Sequence, residues 1–212
     1  MNIVTDITAQ KRNKERVNVF IDGRYTFSLA LEAAAGLKIG RQLSDGEIAD
    51  LKTADTYVQA KNQALRLLSY RPRSIQEVKQ KLTQKGYDEL VVERVIQQLQ
   101  EVDLLDDKVF ADYWVEQRDT FKPRSHLALR NELRRKGIDR HIIETAVAPI
   151  DETDAACRAI ESKLWRWRDL PQEAFEKKAG EYLRRRGFSY AIIKPVLHKL
   201  WQSVADEYTG DK

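Results

Sequence analysis

Cysteine is nearly absent from this sequence, because Cys157 is the single thiol in 212 residues. One cysteine excludes an internal disulfide and is typical of proteins from a reducing compartment. No apolar run comes near the roughly 20 residues that a membrane-spanning helix needs. Residues 1–6 carry no basic segment followed by an apolar stretch, as a secretory signal would. These absences predict a soluble, cytoplasmic protein that does not contact a membrane.

Motifs for catalysis and metal binding are missing as well. The chain has no Gly-x-x-x-x-Gly-Lys-Ser/Thr phosphate-binding loop. Its three histidines, His126, His141 and His198, have no metal-ligand spacing to one another or to Cys157. Residues 101–107 are rich in acids but lack the calcium-loop pattern, and an aspartate there is better placed as a helix N-cap. We therefore expect no cofactor, no metal and no enzymatic activity, with an enzyme of unrecognised site as the least favoured alternative.

Charged residues, by contrast, are abundant. They make up 33% of the chain, with 37 Lys and Arg against 33 Asp and Glu, a formal net charge of +4 and a pI near 9.0. The hydrophobic share of 42% is enough to build cores. Because the positive excess is modest, the positions of the cations are more informative than their total.

A short sequence motif occurs three times along the chain. A cation, a glycine and an apolar residue follow one another at 85–87, 136–138 and 186–188, so the intervals are 51 and 50 residues. A leucine lies four residues before each glycine, and apolar residues follow at five, six, nine and ten residues after it. A glycine after a cation is a common helix end. The pattern predicts three copies of one helical unit that stack in a curved, elongated array.

The N-terminal segment has strand periodicity instead. Apolar residues alternate on both sides of the dipeptide Asp22-Gly23, which is typical of a β-hairpin with a type I′ turn. Residues 3–7 are expected to add a third strand, and residues 31–37 to form a short helix. A Ser-x-x-Glu capping box at Ser44 then predicts the beginning of a helix that leads into the first repeat.

Each repeat is predicted to hold three helices, and the mostly α fold thus consists of three tandem three-helix repeats after a small β-hairpin module. The predicted helices cover residues 60–69, 74–85 and 88–100, then 110–120, 125–136 and 139–147, and in the third repeat 172–186 and 190–204 after an unassigned first helix. The predicted domains are 1–55 for the hairpin module and leading helix, 56–106, 107–150 and 151–207 for the repeats, and 208–212 for a tail.

Two motifs within these repeats resemble a known family. Residues 66–74, Arg-Leu-Leu-Ser-Tyr-Arg-Pro-Arg-Ser, are similar to the opening repeat of the RecX regulatory proteins. Residues 104–111, Leu-Leu-Asp-Asp-Lys-Val-Phe-Ala, are similar to that family's second motif. The resemblance covers residues 57–204. It implies a bacterial modulator of the RecA recombinase, active in DNA repair, recombination and the SOS response, that binds the filament of RecA on single-stranded DNA and mainly inhibits its ATPase and strand exchange.

Basic residues are the candidates for that binding. Between 122 and 136 the chain has six cations against one acid, Glu132, and the ends of the other repeats are basic too. Stacked repeats would bring these cations into a positive strip that could contact the filament protein or DNA phosphates. The alternative is that they are solvated or complement helix dipoles. The candidates are Arg71, Arg73, Lys79, Lys85, Lys122, Arg124, Arg130, Arg134, Arg135, Arg184, Arg185 and Arg186.

The tryptophans leave a second function open. Trp114 and Trp201 fall within apolar stripes and are predicted to pack in cores. In the segment 165–168, Trp-Arg-Trp-Arg, helical geometry would point Trp165 and Trp167 to nearly opposite sides, so one of them is expected to be exposed or pressed against a neighbouring repeat. An exposed tryptophan beside arginine can stack on a base of single-stranded DNA. The alternative function is therefore a stand-alone nucleic-acid-binding repeat protein, in either case a monomer.

Overall fold

The computed structural model describes residues 2–209, with side chains as far as Ser203. The chain divides into two compact units, Met1–Leu105 and Asp106–Lys212. The first unit holds a small sheet and three helices, and the second holds six helices among the described residues. The predicted mostly α fold, with three three-helix repeats after a small β module, is confirmed.

The first unit begins with an antiparallel sheet of three strands in the order β1 (Val4–Ala9), β2 (Arg16–Ile21) and β3 (Arg24–Ala30). Asp22 and Gly23 join β2 to β3 with φ angles of 47° and 77°, the left-handed values that a type I′ turn requires. Alternate apolar residues of the strands point to one face and are buried there. Both the hairpin and the third strand are therefore confirmed.

The segment after β3 differs from the prediction. Residues 31–36 form successive turns, and no short helix is present there. The backbone N–H groups of Ala35 and Leu37 bond to carbonyls three residues earlier, at 3.4 and 2.9 Å. The segment is held by Ala34 and Leu37, which are buried in the core beneath the sheet.

Helix α1 (Asp45–Leu68) begins at the predicted capping box, in which Ser44 Oγ accepts from Glu47 N and the Glu47 carboxylate accepts from Ser44 N. It runs for 24 residues without a break and supplies the first helix of repeat 1. Helix α2 (Ile75–Gln84) is capped by Ser74, and α3 (Glu89–Glu101) by Asp88. Gly86 follows the end of α2 with a φ of +86°, as the repeated cation-glycine motif predicted.

The second unit contains repeats 2 and 3. Its helices are α4 (Asp107–Phe121), α5 (His126–Arg135), α6 (Arg140–Val147), α7 (Glu152–Leu164), α8 (Gln172–Arg185) and α9 (Tyr190–Thr209). Asp106 caps α4 by accepting from the backbone N–H groups of Lys108 and Val109, which confirms its predicted capping role. Gly137 and Gly187 have φ angles of +79° and +93° after α5 and α8. Each of these two repeats has its own apolar core. Leu133 is buried in the core of repeat 2, and Leu183 is buried in the core of repeat 3.

Candidate partner-binding surface

Two of the twelve candidate cations hold the turn between α1 and α2. The guanidinium of Arg71 forms two hydrogen bonds with the Glu77 carboxylate, at 3.0 and 3.1 Å, and a third with the Pro72 carbonyl at 2.7 Å. Arg73 Nε donates to the Leu67 carbonyl at 3.0 Å. Both side chains are half-buried. Their donors serve the fold, which makes them weaker candidates for a partner.

Two further candidates bridge the second and third helices of their repeats. Lys79 Nζ lies 3.7 and 3.6 Å from carboxylate oxygens of Glu89 and Glu93. Arg130 lies across from Glu144, with Nε donating to both carboxylate oxygens at 3.0 Å and Nη2 at 2.8 Å. The hydrogen bond from Arg130 lowers the pKa of Glu144 below its ordinary value. The charge on Arg130 is therefore already compensated within the protein.

Glu132, the one acid in the basic stretch, compensates two arginines at once. Its carboxylate accepts from Trp114 Nε1 at 2.8 Å and from Arg118 Nε at 2.7 Å, and it lies 2.9 Å from Arg124 Nε. Only 11% of the Glu132 side chain is exposed, so these contacts are partly shielded from water. The guanidinium of Arg118 also lies 4.3 Å from the centre of the Trp114 ring. Arg124 is thus part of a structural cluster.

Arg186 links repeats 2 and 3. Its Nη1 donates to the Pro123 carbonyl at 2.9 Å, 63 residues away in the sequence. Its guanidinium also lies 4.7 Å from the centre of the Tyr182 ring. The Arg186 carbonyl in turn accepts from Ser125 N at 3.3 Å. Arg186 is half-buried by these contacts, and its role is to position the end of α8 beside the beginning of α5.

Six candidates are exposed, and within residues 2–203 they form no ion pair with an acid. Each lies at the C-terminal end of a helix, where the helix dipole favours positive charge. The side chains of Arg134 and Arg135 each donate a hydrogen bond to Asn131, at 3.2 Å. These exposed cations are Lys85, Lys122, Arg134, Arg135, Arg184 and Arg185.

The two exposed arginine pairs of the second unit lie apart. Arg184 and Arg185 precede Arg186, which contacts Pro123 just before α5 begins. Arg134 and Arg135 lie at the other end of α5, a helix of ten residues. At a rise of 1.5 Å per residue, the pairs are separated by about 15 Å. A large anionic surface could contact both pairs, whereas a single small anion could not.

One tryptophan of the pair is exposed, as expected, although residues 165–169 form turns after α7 and do not continue the helix. Trp165 is 65% exposed, and the Arg166 guanidinium lies 4.9 Å from its ring centre. Trp167 is half-buried against Tyr182 of the same repeat, with ring centres 5.5 Å apart. Trp201 packs on Phe175 in the core of repeat 3. Trp165 is thus the exposed member of its pair.

Two of the residues considered for chemistry, His126 and Cys157, are half-buried in the fold. His126 Nε2 lies 2.8 Å from the Ile150 carbonyl oxygen. Burial raises the pKa of the Cys157 thiol, which disfavours the reactive thiolate. Within residues 2–203, no group of three or more His, Cys, Asp or Glu side chains could hold a metal ion. None of the helices in the described part of the chain is long and apolar enough to span a membrane.

Sequence reasoning missed two exposed cations of the third repeat, Lys177 and Lys194. Both line a groove between α8 and α9. They do not belong to a dense run of basic residues, so charge counting overlooks them. An alignment of the three repeats on their glycines would have shown that Lys194 stands where repeats 1 and 2 have an acid.

The fold and the exposed surface together define a class of protein: tandem three-helix repeats and a small antiparallel sheet, with exposed arginines and lysines at the helix ends. Models of the RecX family match the chain in order, with the RecX N-terminal domain at residues 2–44 and the first, second and third three-helix domains at 60–99, 106–147 and 150–197. The chain therefore belongs to the RecX family of regulatory proteins.

Individual relatives agree with this assignment. Regulatory protein RecX of Clostridioides difficile (strain 630) is 32% identical over 98% of this chain and 99% of its own length. The protein of the same name from Bacillus subtilis (strain 168) is 32% identical over 100% of this chain and 80% of its own length. A crystal structure of regulatory protein RecX matches with a TM-score of 0.71 at 27% identity, over 92% of this chain and 98% of that chain. The crystal structure of RecX from Lactobacillus salivarius matches with a TM-score of 0.60 at 27% identity, over 69% of this chain and 97% of that chain.

Proposed function

We propose that this protein binds the RecA filament on single-stranded DNA and modulates it, mainly by inhibiting its ATPase and strand exchange. The observation that carries the proposal is membership of the RecX regulatory family along nearly the whole chain, from residue 2 to residue 197. Cytoplasmic action as a monomer belongs to the same proposal. Regulation here requires no chemistry by the protein itself, because binding alone can oppose the rearrangements of a filament.

The exposed arginines give this proposal a physical mechanism. Arg134 with Arg135 and Arg184 with Arg185 form two cationic positions about 15 Å apart, by the length of α5. A filament repeats the same subunit, so several weak contacts at separate positions add up to high avidity without a deep pocket. Contacts that cross subunit boundaries would hold neighbouring protomers together and slow ATP turnover. Lys85 and Lys122 are weaker members of the same set, since each is a single exposed charge.

The first experiment measures the ATPase of the cognate RecA on single-stranded DNA at one fixed salt concentration, with and without this protein. We expect turnover to fall at substoichiometric amounts, because one bound molecule affects several protomers. Unchanged turnover at amounts that saturate bare DNA would contradict the proposal.

Charge-reversal variants test the surface. R134E/R135E and R184E/R185E should each weaken filament binding by about tenfold, because like charges then face the anionic partner. K11E/R12E is the matched control, since it changes the net charge equally at exposed residues of the first unit. Arg130→Glu is a poor probe, because it would place two carboxylates together across the Glu144 contact. Equal losses in all three variants would show that total charge, and not this surface, determines binding.

A second candidate function is direct binding of single-stranded nucleic acid without RecA. The exposed Trp165 with Arg166 beside its ring favours it, because an aromatic face can stack on a base. This function predicts tight binding to bare DNA whose affinity falls steeply with salt. It also predicts that Trp165→Ala weakens DNA binding several-fold while the ATPase of RecA responds only to titration of the DNA.

A further inference from the structure

The three repeats differ at one pair of equivalent positions. The residue seven before the repeat glycine is Lys79 in repeat 1, Arg130 in repeat 2 and Gly180 in repeat 3. The residue seven after that glycine is an acid in repeats 1 and 2, where the two positions form the salt bridges to Glu93 and Glu144. In repeat 3 it is Lys194. The third repeat has therefore lost the cation of helix two and reversed the charge on helix three.

An open groove of about 420 Å³ occupies the place of that salt bridge, between α8 and α9. Gly180 lies at its floor with Ile193 and Leu197. A Cβ atom added at Gly180 would lie 3.5 Å from Leu197 Cδ1 and 3.8 Å from Ile193 Cγ2, which are ordinary contact distances. The groove thus has an apolar floor, and its backbone can carry a side chain without a clash.

The rim of the groove carries both signs of charge. Lys177 and Lys194 are exposed, and neither has an ion-pair partner among the side chains described. Glu176, Glu181 and Arg184 of α8 also line it. Two carboxylates disfavour a chain of phosphates, whereas a peptide can offer an apolar side chain to the floor and one carboxylate to a lysine. The combination fits a segment of protein better than a nucleic acid.

We infer that this groove binds a segment of the protein partner in which an acidic residue lies next to an apolar one. The apolar side chain occupies the space above Gly180, and the carboxylate pairs with Lys194, as Glu144 pairs with Arg130 in repeat 2. This inference rests on the proposed function, because the filament supplies the partner protein. It assigns this groove of the third repeat to protein contact, and Arg184 of the exposed arginine pair lies at its edge.

The internal repeats supply the test, because repeat 2 shows how to close the groove. The variant G180R/K194E restores the cation and the acid of repeat 2 and should rebuild the bridge across α8 and α9. Its net charge changes by only about one unit. Gly180→Ala is the matched control, since the added methyl group leaves the groove open and alanine suits a helix interior better than glycine. Both variants should melt at or above the temperature of the natural protein.

The readout is the dissociation constant for RecA filaments assembled on labelled single-stranded DNA with a non-hydrolysable ATP analogue. We expect about tenfold weaker binding for G180R/K194E and unchanged binding for Gly180→Ala. Equal binding by the double variant and the natural protein would overturn the inference while the proposed function stands. If the natural protein itself does not bind filaments, both fail. An equal loss on bare DNA would assign the groove to nucleic acid and overturn the peptide assignment.

Discussion

The two units of this protein hold their parts together by different physical means. In the first unit, Asp55 of α1 is 5% exposed and joins the helix to the sheet. Its carboxylate accepts from Arg16 at 3.1 and 2.9 Å, from Ala30 N at 2.6 Å and from Gln59 at 2.6 Å. A single buried charge thus satisfies a strand backbone, a strand side chain and its own helix.

In the second unit, repeats 2 and 3 are joined by a close backbone approach and by partly exposed arginines. A Cβ at Gly187 would lie 2.6 Å from Ser125 Oγ and 2.9 Å from Ala128 Cβ, so the two repeats touch where only glycine fits. Arg158 of α7 donates to the carbonyl and the carboxylate of Asp119 at 2.6 Å each. About a third of the Arg158 side chain is exposed.

This difference indicates where each unit is vulnerable. A buried charge is costly when its partners are removed, because the groups that remain are desolvated and unpaired. A joint made of steric fit and surface arginines depends instead on one glycine, since the exposed ion pairs contribute little each. We therefore expect the first unit to be most sensitive to a change of charge and the second to a change of volume.

Asp55→Ala should have the largest effect, about 3–5 kcal/mol lost from the free energy of unfolding of the first unit. The substitution leaves the Arg16 guanidinium and the Ala30 N–H without their acceptor. Urea unfolding followed by circular dichroism measures it, because the tryptophans, at 114, 165, 167 and 201, all lie in the second unit.

The control for Asp55 is Glu32→Ala in the same unit. Glu32 pairs with Lys61 at 2.8 Å, but its side chain is 61% exposed, so the loss should stay below about 1 kcal/mol. Equal losses for the two substitutions would show that burial does not set the strength of the Asp55 joint.

Gly187→Ala should come second, with about 2–4 kcal/mol lost from the second unit. It adds the contact with Ser125 to the strain of a non-glycine residue at a φ of +93°. Gly86→Ala separates the steric contact from the backbone strain. Gly86 has a similar φ of +86°, but an added Cβ would have nothing within 4 Å. That control should lose only about 1 kcal/mol. Unfolding of Gly187→Ala is followed by tryptophan fluorescence, and unfolding of Gly86→Ala by circular dichroism. Equal losses in the free energy of unfolding would rule out a steric contact between the repeats at Gly187.

Much of the local structure could be predicted because its causes are local. The turn at Asp22-Gly23, the capping box at Ser44 and the glycine after each second helix depend on residues within a few positions of one another. The segment 31–37 was predicted wrongly because a short apolar run does not show whether it forms a helix or a set of turns.

The candidate site was harder to predict because its partners are distant. A helical pattern places Arg130 and Arg134 near each other, but it does not show that Glu144 lies across from one of them. The contact of Arg186 with Pro123 spans 63 residues and depends on how repeats 2 and 3 pack. Sequence therefore identified the basic helix ends, while only the structure separates the compensated arginines from the exposed ones.

Arg158→Met should have a smaller effect than the glycine change, about 1 kcal/mol lost from the second unit. The loss should shrink as salt is added, since about a third of the side chain is in water. Arg168→Met is the control, because Arg168 lies in the same unit, is mostly exposed and is 3.8 Å from its acidic neighbour. Fluorescence-detected urea unfolding at low and high salt measures both, and a loss that salt leaves unchanged would contradict an electrostatic joint.

Arg130→Met should have the smallest effect on the free energy of unfolding. Its main result should be a change in the pKa of Glu144. Because Arg130 donates to the Glu144 carboxylate, the pKa of that group is lowered in the folded protein. The stabilisation it contributes is complete above the ordinary pKa of a glutamate and is lost as the pH falls through the lowered one. Removal of the donor should return the Glu144 pKa towards its ordinary value, as measured by NMR of the side-chain carboxyl carbons.

Glu47 is the internal control, because the Ser44 backbone N–H lowers its pKa and should continue to do so. An unchanged pKa for Glu144 in the variant would mean that the bridge between the second and third helices of repeat 2 is not formed in solution, and the contrast with the open groove of repeat 3 would then disappear.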